Sequence, residues 1–361
     1  MNRFPRILLC AGEASGDRLA AELVAALRAR RQDLQFRGIA GPAMRRVGVE
    51  PIARAEELEV MGFTAVVPKL PAVLRALVRT TDAMDSWRPD VVVTVDSPDS
   101  MLKLTRAARR RGIPAVHWVS PQVWAWRRGR VKSIATAVDC MLCLFPIEPP
   151  LYEEEGLTAV FTGHPVVARM GGAEPMARRG EEVVVALVPG SRRTEIGELW
   201  PVMSTVAALL RQRLGACRFV VPVAPTVDPA WLSGLDVELV GDLSEVAGAD
   251  VAICCSGTAT LELCVLGVPM VVLYRANRLN WAIGSRMVDL DHIALPNILA
   301  GRRVAPEHLQ VLDPVAIADD AVAQLGEVGD AQRVALAEVA AGLGTGDAAG
   351  VAADEVLRWV G

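Results

Sequence analysis

Short, almost uniformly apolar segments alternate with helical patterns along most of this chain, and this alternation constrains the fold more than any other feature. Clear examples are residues 7–10, Val91–Val95 and Val183–Val188. Strands whose residues are nearly all apolar are covered on both faces, which is typical of a parallel sheet between layers of helices. The sequence therefore predicts an α/β protein in which each strand leads through a loop into a helix.

The pattern occurs twice, which predicts two domains. A length of 361 residues agrees with this, since one domain typically takes roughly 100–200 residues. Residues 163–182 are richer in Gly, Pro and charge, and we place the linker there. We expect a first domain at 1–168, a second at 180–340 and a C-terminal helix at 341–361. The Ala-rich helical pattern from 315 to 359 is expected to pack back on the first domain or on a partner.

Composition excludes several classes of protein. With 52% hydrophobic and 22% charged residues, the chain can bury a large core and is not disordered. A net charge of −4 argues against general nucleic-acid binding. No apolar run reaches the length of about 18 residues that spans a bilayer. The seven cysteines follow no disulfide framework, and we expect all of them to be core thiols of an intracellular protein. Cys140 and Cys143 lie in one predicted strand, where their side chains face opposite sides of the sheet.

The stretch CCSGTATLE, residues 254–262, combines a strand end, a turn and a helix start. Ser256, Gly257 and Thr258 leave backbone N–H groups unpaired at the positive end of a helix, which suits an anion such as a diphosphate. Glu262 follows in the first turns, where a carboxylate accepts hydrogen bonds from a ribose diol. Ordinary helix capping explains the same residues, and the sequence leaves both interpretations open.

A second loop of this half also suits a phosphate. Gly190, Ser191, Arg192 and Arg193 follow an apolar strand and precede a helix. Arginine stays charged and donates two hydrogen bonds to one phosphate group. A solvated surface loop is the alternative. Together with the Ser-Gly-Thr turn, this loop marks the second domain as the nucleotide side.

Acidic and hydroxyl side chains follow two strands of the first half. Asp96 and Asp99 come directly after one strand, where a carboxylate can take the proton of an attacking sugar hydroxyl. An N-cap role is the alternative for both. Glu13 and Ser15 follow the first strand and are candidates to touch the reacting groups. The two domains are expected to face one another across a cleft at the carboxyl ends of their strands.

Neither half contains the GxGxxG pattern of dinucleotide-binding folds, so no dinucleotide cofactor is expected. The acidic pair Asp289 and Asp291, followed by His292, forms a DxD pattern that in some proteins holds a metal on a sugar nucleotide. So short a pattern is weak evidence, and we predict no metal site.

Two stretches are candidates for contact with lipid. Residues 61–70 are almost entirely apolar, and the helix that follows places Leu74, Leu77 and Val78 near Arg75 and Arg79. An apolar face edged by arginines lies well in a membrane interface. A buried helix with arginines at its border is the alternative. The tryptophan-rich stretch 124–126, with basic residues after it, is a candidate for an interface or for phosphate binding.

Six short sequence motifs, called strings below, occur in a fixed order along the chain and together resemble one protein family. They are AGEASGD (11–17), MGF (61–63), SPQVWAW (120–126), PGSRRTEI (189–196), SGTATLE (256–262) and PNILAG (296–301). In these strings the chain resembles the lipid-A-disaccharide synthase family across most of its length.

The resemblance implies an inverting glycosyltransferase with two Rossmann-like domains, the GT-B fold. It implies that UDP-2,3-diacylglucosamine and 2,3-diacylglucosamine 1-phosphate are joined into the β-1,6 disaccharide of lipid A, with release of UDP. It further implies a peripheral enzyme at the inner face of the cytoplasmic membrane, bound to an anionic surface, that needs neither metal nor cofactor. A homo-oligomer stays open, as does the acyl-chain length that the enzyme accepts.

The resemblance also assigns roles to single residues. The family's important acid falls on Asp99 with Asp96 beside it, and its phosphate-loop arginine falls on Arg192. The acid of the Ser-Gly-Thr string falls on Glu262, and the asparagine of the Pro-Asn string on Asn297. On the acceptor side, Met61 and Phe63 join Glu13 and Ser15. Ser100 and Met101 depart from the family's pattern, which has an aromatic residue followed by asparagine, so acceptor contacts beside the base are expected to differ.

Two other functions stay open from the sequence. One is another enzyme of the same fold that uses UDP-N-acetylglucosamine, such as an epimerase, which needs no lipid acceptor. The other is a non-catalytic, membrane-associated binding protein that has kept the scaffold.

Overall fold

A computed structural model describes residues 4–58, 66–125, 128–176, 182–276 and 291–360 of the chain. The chain divides into two compact units. Unit 1 comprises Met1–Pro165 and Asp347–Gly361, and unit 2 comprises Val166–Gly346. The division falls at the start of the predicted linker, and the last segment of the chain belongs to unit 1.

The residues of unit 1 that the structure describes form seven strands. They are β1 (Arg6–Ala11), β2 (Gln35–Ala40), β3 (Glu50–Arg54), β4 (Val91–Val95), β5 (Ala115–Trp118), β6 (Cys140–Cys143) and β7 (Thr158–Phe161). Its helices up to Pro165 are α1 (Ala14–Arg30), α2 (Pro42–Arg46), α3 (Val66–Trp87), α4 (Pro98–Arg109), α5 (Val131–Ala135) and α6 (Pro149–Glu153). Two 3-10 turns lie at Ala55–Glu57 and Arg128–Arg130.

The sheet of unit 1 is parallel throughout, in the order β3-β2-β1-β4-β5-β6-β7. From β1 the chain adds β2 and β3 on one side, then returns to add β4 on the other side of β1. The loops after β1 and β4 are therefore neighbours at the carboxyl edge of the sheet, at the point where the strand order reverses.

The described part of unit 2 repeats this plan with six strands. They are β8 (Val183–Val188), β9 (Cys217–Pro222), β10 (Glu238–Val240), β11 (Val251–Cys255), β12 (Met270–Tyr274) and β13 (Glu307–Leu309). Its helices are α7 (Val166–Met170), α8 (Arg193–Leu214), α9 (Thr258–Val265), α10 (Leu295–Ala300), α11 (Pro314–Ala323) and α12 (Glu327–Ala341). Two 3-10 turns lie at Pro229–Leu232 and Leu243–Val246. The parallel sheet has the order β10-β9-β8-β11-β12-β13, which reverses between β8 and β11.

Both faces of the central strands β1, β4, β8 and β11 are buried, as the apolar segments predict. Along β1, Ile7 and Leu9 belong to one core cluster, whereas Leu8 and Cys10 belong to the cluster on the opposite face. The predicted α/β class, with two Rossmann-like domains, is confirmed.

The last helix, α13 (Ala348–Leu357), packs on α1 in unit 1. The Asp347 side chain accepts a hydrogen bond from the Gly350 N–H at 3.0 Å and so caps α13. The expectation that the helices from 315 onward pack on the first domain holds only for this one. The expectation is wrong for α11 and α12, which belong to unit 2. For α12, the contacts of the Gln332 side chain give the reason. This side chain is buried, and it bonds to the backbone of Met270 and Val304.

The cysteines are free thiols, and six of the seven are buried. Cys217 is only half-buried at the start of β9, so the prediction that all seven are core thiols is wrong at that position. Cys140 and Cys143 point into different core clusters, which confirms that they face opposite sides of the sheet. Within the described ranges, every helix is too short or too polar to cross a membrane.

Candidate active site

The predicted polar loops follow β1 and β4 in unit 1 and β8 and β11 in unit 2. These are the strands between which each sheet reverses its order. In open α/β sheets, ligands bind beyond the carboxyl ends of the strands at this reversal. Each unit therefore has a candidate binding edge of its own.

The loop after β4 in unit 1 has an unusual backbone. Asp96 and Ser97 are consecutive non-glycine residues in the left-handed region, with φ of 57° and 44°. Side chains rarely adopt this conformation, and it is typical of functional turns. The Asp96 carboxylate accepts hydrogen bonds from the Ser97 N–H at 2.8 Å and from the Ser15 hydroxyl at 3.0 Å. Asp96 thus joins the two predicted loops of unit 1.

Two glycines allow these loops to approach each other. A Cβ at Gly12 would lie 3.0 Å from Ser97 Oγ, and a Cβ at Gly16 would lie 3.1 Å from the Val95 carbonyl oxygen and 3.2 Å from Asp96 Cβ. All three distances are tighter than ordinary van der Waals contact. The glycines of the AGEASGD string therefore permit the close packing that brings Ser15 to Asp96.

Asp99 lies in the first turn of α4 with its side chain 88% exposed. Arg130, in the connection between β5 and β6, donates from Nη2 to Asp99 Oδ1 at 3.0 Å. Ser97 occupies the N-cap position of α4, so capping does not account for either aspartate. Glu13 is exposed at the start of α1.

The remaining residues of unit 1 that we predicted to contact the acceptor or lipid are Met61, Phe63, the tryptophan-rich stretch and the apolar face of α3. Met61 and Phe63 lie outside the described residues, as does Trp126. On α3, Leu77 is buried, whereas Leu74 and Val78 are 49% and 57% exposed. The predicted apolar face of this helix is therefore divided between the core and the surface.

Asp17, the last residue of the AGEASGD string, has a structural role that the sequence did not reveal. Its buried carboxylate accepts hydrogen bonds from Gly41 N at 2.8 Å, Ala43 N at 2.7 Å and Met44 N at 3.2 Å. It therefore caps α2 from α1. A Cβ at Gly41 would lie 2.4 Å from the Asp17 carboxyl carbon, so this cap also requires the glycine.

In unit 2, the loop after β8 turns at Gly190, whose φ of 104° favours glycine. A Cβ there would lie 2.6 Å from Glu195 Oε2 and 3.3 Å from Cys255 Sγ. The loops after β8 and β11 are thus in close contact at this residue. Ser191 is exposed beside it.

Arg192 is 78% exposed and therefore free to reach a ligand. Its Nη1 donates to Glu195 Oε1 at 2.8 Å, and its backbone N–H donates to Glu195 Oε2 at 3.3 Å. Glu195 was not predicted as a site residue, although it stands at the third helical position, where capping boxes place a carboxylate. It holds Arg192 at the start of α8.

The turn after β11 has the predicted shape. Gly257 has φ of 143°, and α9 begins at Thr258. The Ser256 hydroxyl donates to the Ile293 carbonyl at 3.0 Å, so this side chain holds the turn in place. The first N–H groups of an α-helix lack partners inside the helix, and they carry the positive end of its dipole. The Ser256 N–H donates to the Leu273 carbonyl at 2.9 Å, so the expectation that it is unpaired is wrong. The N–H groups of Gly257 and Thr258 can bind an anion.

Glu262 lies in the second turn of α9, 19% exposed, and accepts a hydrogen bond from Arg169 Nη2 at 2.7 Å. Burial raises the pKa of its carboxyl, the Arg169 guanidinium opposes this rise, and the Asp242 carboxylate adds to it. Arg169, in α7, comes from the predicted linker and was not predicted as a site residue.

Asn297 is fully buried in α10. Its amide donates to the Ala305 carbonyl at 2.9 Å, and its carbonyl accepts from Val304 N and Ala305 N, both at 2.7 Å. The side chain therefore shapes the turn that leads into β13. Its direct contact with a donor stays a prediction.

The DxD pattern is only partly described, because Asp289 lies outside the described residues. His292 Nδ1 lies 3.4 Å from Glu307 Oε2. Within the part of the chain that the structure covers, no three His, Cys, Asp or Glu side chains are grouped as metal ligands.

Comparison with protein families adds evidence that is independent of this geometry. A model of the lipid-A-disaccharide synthetase family matches residues 7–334. The lipid-A-disaccharide synthase of Myxococcus xanthus (strain DK1622) is 41% identical over 376 residues, which cover 99% of this chain and 98% of that relative. The corresponding enzyme of Geobacter sulfurreducens is 40% identical over 383 residues, covering 100% and 98%.

Solved structures of other proteins share the fold. UDP-GlcNAc 2-epimerase from Neisseria meningitidis, bound to UDP-GlcNAc, superposes with a TM-score of 0.63 at 15% identity, covering 98% of this chain and 100% of that chain. The glycotransferase of kitacinnamycin superposes with a TM-score of 0.66 at 18% identity, covering 99% and 100%. At these identities the similarity establishes the fold alone.

Proposed function

The chain belongs to the lipid-A-disaccharide synthetase family, and we propose that it joins UDP-2,3-diacylglucosamine to 2,3-diacylglucosamine 1-phosphate. It is a glycosyltransferase of lipid A biosynthesis that takes a sugar-nucleotide donor and a lipid acceptor. The proposed products are the β-1,6-linked tetraacyl disaccharide 1-phosphate and UDP. One observation carries the proposal: the family's acidic loop and its phosphate loops both lie where the sheet of their unit reverses its strand order.

Unit 1 provides the proposed base. In the proposed reaction the 6-hydroxyl oxygen of the acceptor attacks the anomeric carbon of the donor, and the hydroxyl proton passes to the Asp99 carboxylate. Asp99 suits this role because its side chain is exposed at the carboxyl edge of the sheet. Asp96, held by Ser15 and by the Ser97 N–H, keeps the loop before Asp99 in its left-handed conformation. Glu13 is also exposed at this edge of the sheet and is a proposed acceptor contact. Met61 and Phe63 are further proposed acceptor contacts.

Unit 2 provides the proposed leaving-group site. As the anomeric carbon–oxygen bond breaks, its electron pair leaves with UDP and negative charge grows on the diphosphate. Donors already aimed at that charge stabilise the transition state. Arg192 and the backbone N–H groups of Gly190, Ser191, Gly257 and Thr258 are the proposed donors. Glu262 is proposed to hold the ribose, with Asn297 shaping the neighbouring turn. The chemistry assigned to these residues needs no metal ion.

The test is UDP release from UDP-2,3-diacylglucosamine in detergent, measured with and without 2,3-diacylglucosamine 1-phosphate and repeated in EDTA. We expect release that requires the acceptor and survives EDTA. Loss of release in EDTA would contradict the metal-free chemistry. Turnover of UDP-N-acetylglucosamine without acceptor would instead indicate an epimerase, and UDP binding without any turnover would indicate a binding protein.

A membrane surface is the proposed location of the acceptor, at the inner face of the cytoplasmic membrane. Leu74 and Val78 lie four residues apart on α3 and are exposed on one face of this helix. Arg75 and Arg79 are exposed beside them. Large apolar side chains bordered by arginines suit an interface with anionic lipids.

The membrane proposal predicts that the double variant L74D/V78D loses binding to vesicles of phosphatidylglycerol and phosphatidylethanolamine. Burial of a Leu and a Val contributes about 1.5–3 kcal/mol each, so affinity should fall at least about tenfold. Co-sedimentation measures the binding. The control V328D/V334D adds the same charge at exposed positions of unit 2 and should bind as the wild type does. Equal loss in both variants would show that added charge alone weakens binding.

A further inference from the structure

Glu148 is a buried carboxylate that the proposed chemistry does not use. It lies between β6 and α6 in unit 1, and only 1% of it is exposed. Burying a carboxylate is costly unless hydrogen bonds replace its hydration. Its partners should therefore show what it does.

Three N–H groups donate to the Glu148 carboxylate. The backbone N–H groups of Leu144 and Phe145 reach Oε2 at 3.1 and 3.0 Å. The indole N–H of Trp124 reaches Oε1 at 3.1 Å. A carboxylate accepts all three at once, whereas a carboxamide in its place would turn an NH2 group toward one of them.

These bonds join the loops after β5 and β6, and a ring contact adds the loop after β7. Trp124 follows β5, Phe145 follows β6 and His164 follows β7. The Trp124 and Phe145 rings meet edge to face with centroids 6.0 Å apart, and the Phe145 and His164 rings lie 5.1 Å apart. All three loops leave the carboxyl edge of the sheet, the edge that carries Asp96 and Asp99.

The connection that holds Trp124 continues to Arg130, the residue that donates to Asp99 at 3.0 Å. It is thus tethered at Trp124 by Glu148 and at Arg130 by Asp99. We propose that Glu148 is a positioning residue for the phosphorylated lipid acceptor, because its carboxylate holds Trp124 and thereby the connection whose Arg130 contacts Asp99. This inference rests on the proposed function, in which Asp99 is the base.

The ionisation of Glu148 makes the role measurable. Burial raises the pKa of Glu148 to about 7, and the N–H groups of Phe145, Trp124 and Leu144 and the Ser120 hydroxyl oppose the rise. The His164 imidazole packs on Phe145, whose N–H donates to Glu148, and Cys143 and Tyr152 are ionisable groups that interact with the Glu148 charge. Burial raises the pKa of both, so they stay neutral near pH 7, although the Arg130 guanidinium slightly lowers that of Tyr152.

Protonation of Glu148 weakens its bond to Trp124, so kcat/KM for the acceptor should fall as the pH drops through about 7. The acceptor's phosphate also titrates in this region. The titration of the acceptor's phosphate is the same for every variant assayed with that acceptor, so it cancels when the pH profiles of the variants are compared.

The experiment compares the wild type with E148Q, W124F and the control E154Q, which removes an exposed carboxylate from the same part of unit 1. KM for donor and acceptor and kcat are measured from pH 5.5 to 9. Thermal unfolding and UDP binding verify that each variant is folded. The difference between the tryptophan fluorescence of the wild type and that of W124F gives the emission of Trp124. This measurement does not depend on turnover.

We expect E148Q to raise KM for the acceptor about tenfold, to leave KM for the donor within about twofold, and to lose the inflection near pH 7. W124F should move the inflection to higher pH, because removing an N–H donor raises the pKa of Glu148. The Trp124 fluorescence should titrate near pH 7 in the wild type and not in E148Q. E154Q should match the wild type in all these measurements.

A wild-type KM and pH profile in E148Q, or an equal change in E154Q, would overturn the inference. Wild-type protein without acceptor-dependent UDP release would overturn the proposed function instead. In that case the fluorescence titration still decides whether the Glu148 carboxylate holds Trp124.

Discussion

Gly190 shows how one residue determines the geometry of a binding loop. Its φ of 104° excludes most side chains, and a Cβ at this position would lie only 2.6 Å from Glu195 Oε2. This turn brings the backbone of the β8 loop against Cys255 at the end of β11. The proposed phosphate site therefore depends on the absence of a side chain at this position.

Gly190→Ala should destabilise the protein by at least about 1–2 kcal/mol, because alanine is strained at this φ and its Cβ displaces Glu195. UDP affinity should fall as Arg192 loses the support of Glu195. Urea unfolding and calorimetric UDP titration measure the two effects. The control Gly197→Ala lies in α8, where a Cβ meets nothing within 4 Å, and it should be neutral or stabilising by about 0.5–1 kcal/mol. Destabilisation by Gly197→Ala as well would count against the argument.

Asp99 is the residue on which the proposed chemistry most depends. Asp99→Asn keeps the size of the side chain and removes proton acceptance, so turnover should fall by a factor of about 10² to 10⁴. UDP affinity should stay unchanged, because the proposed UDP contacts belong to unit 2. Initial rates of UDP release and UDP titration measure the two quantities. Activity near that of the wild type in Asp99→Asn would remove Asp99 from the role of base.

At the scale of elements, an aspartate recurs just before a strand. Asp90 precedes β4 and accepts from the Arg6 N–H at the start of β1, and Asp250 precedes β11 and accepts from the Val184 N–H in β8. The two strand pairs are those at which the sheets reverse their order. Asp139, before β6, accepts from the Ala115 N–H in the same way. Each carboxylate satisfies an N–H near the amino end of the neighbouring strand.

Asp250→Ala should lower the free energy of unfolding by about 1–3 kcal/mol, since the Val184 N–H loses an acceptor at a partly buried position. Urea unfolding measures the loss. Asp236→Ala is the matched control, because Asp236 is 98% exposed and its ion pair with Arg211 is long, at 3.6 Å. Exposed ion pairs contribute little, so this control should change stability by less than about 0.5 kcal/mol. Equal effects would show that the strand-start carboxylate has no special role.

At the scale of the whole chain, α13 belongs to unit 1 although it follows unit 2 in sequence. Its buried face, which includes Ala352, Ala353 and Val356, joins the core cluster of α1. The Arg30 guanidinium also pairs with Asp354 at 2.5 Å, but the Asp354 side chain is 63% exposed, so burial contributes more than this solvated pair. The integrity of unit 1 therefore depends on the last residues of the chain.

Val356→Ala should cost about 2 kcal/mol, because it removes two buried carbon atoms and leaves a cavity between α1 and α13. Val334→Ala is the control, since Val334 is 63% exposed on α12, and it should change stability by less than about 0.5 kcal/mol. Urea unfolding of both variants measures the difference. A loss as large for Val334→Ala would contradict the assignment of α13 to the core of unit 1.

Much of the fold and of the loop positions could be predicted from the sequence, because both depend on local patterns. Apolar runs bounded by turns identified the parallel strands, and polar residues directly after them identified the loops at the carboxyl edges. An apolar run and the turn residue that ends it involve only a few neighbouring positions. They can therefore be recognised without knowledge of the contacts that distant parts of the chain make.

Only the tertiary structure decided which polar side chains are exposed at the strand ends and which hold the fold. Asp17 finds its partners 24 to 27 residues away, and Glu148 finds Trp124 at a separation of 24. Asn297 turns inward to the backbone of Val304 and Ala305, 7 and 8 residues further along the chain. A carboxylate or amide has the same chemistry in both roles. Its role is determined by the direction of the side chain and by the groups that other elements bring to it, because a buried polar group must find its hydrogen-bond partners wherever the packing places them.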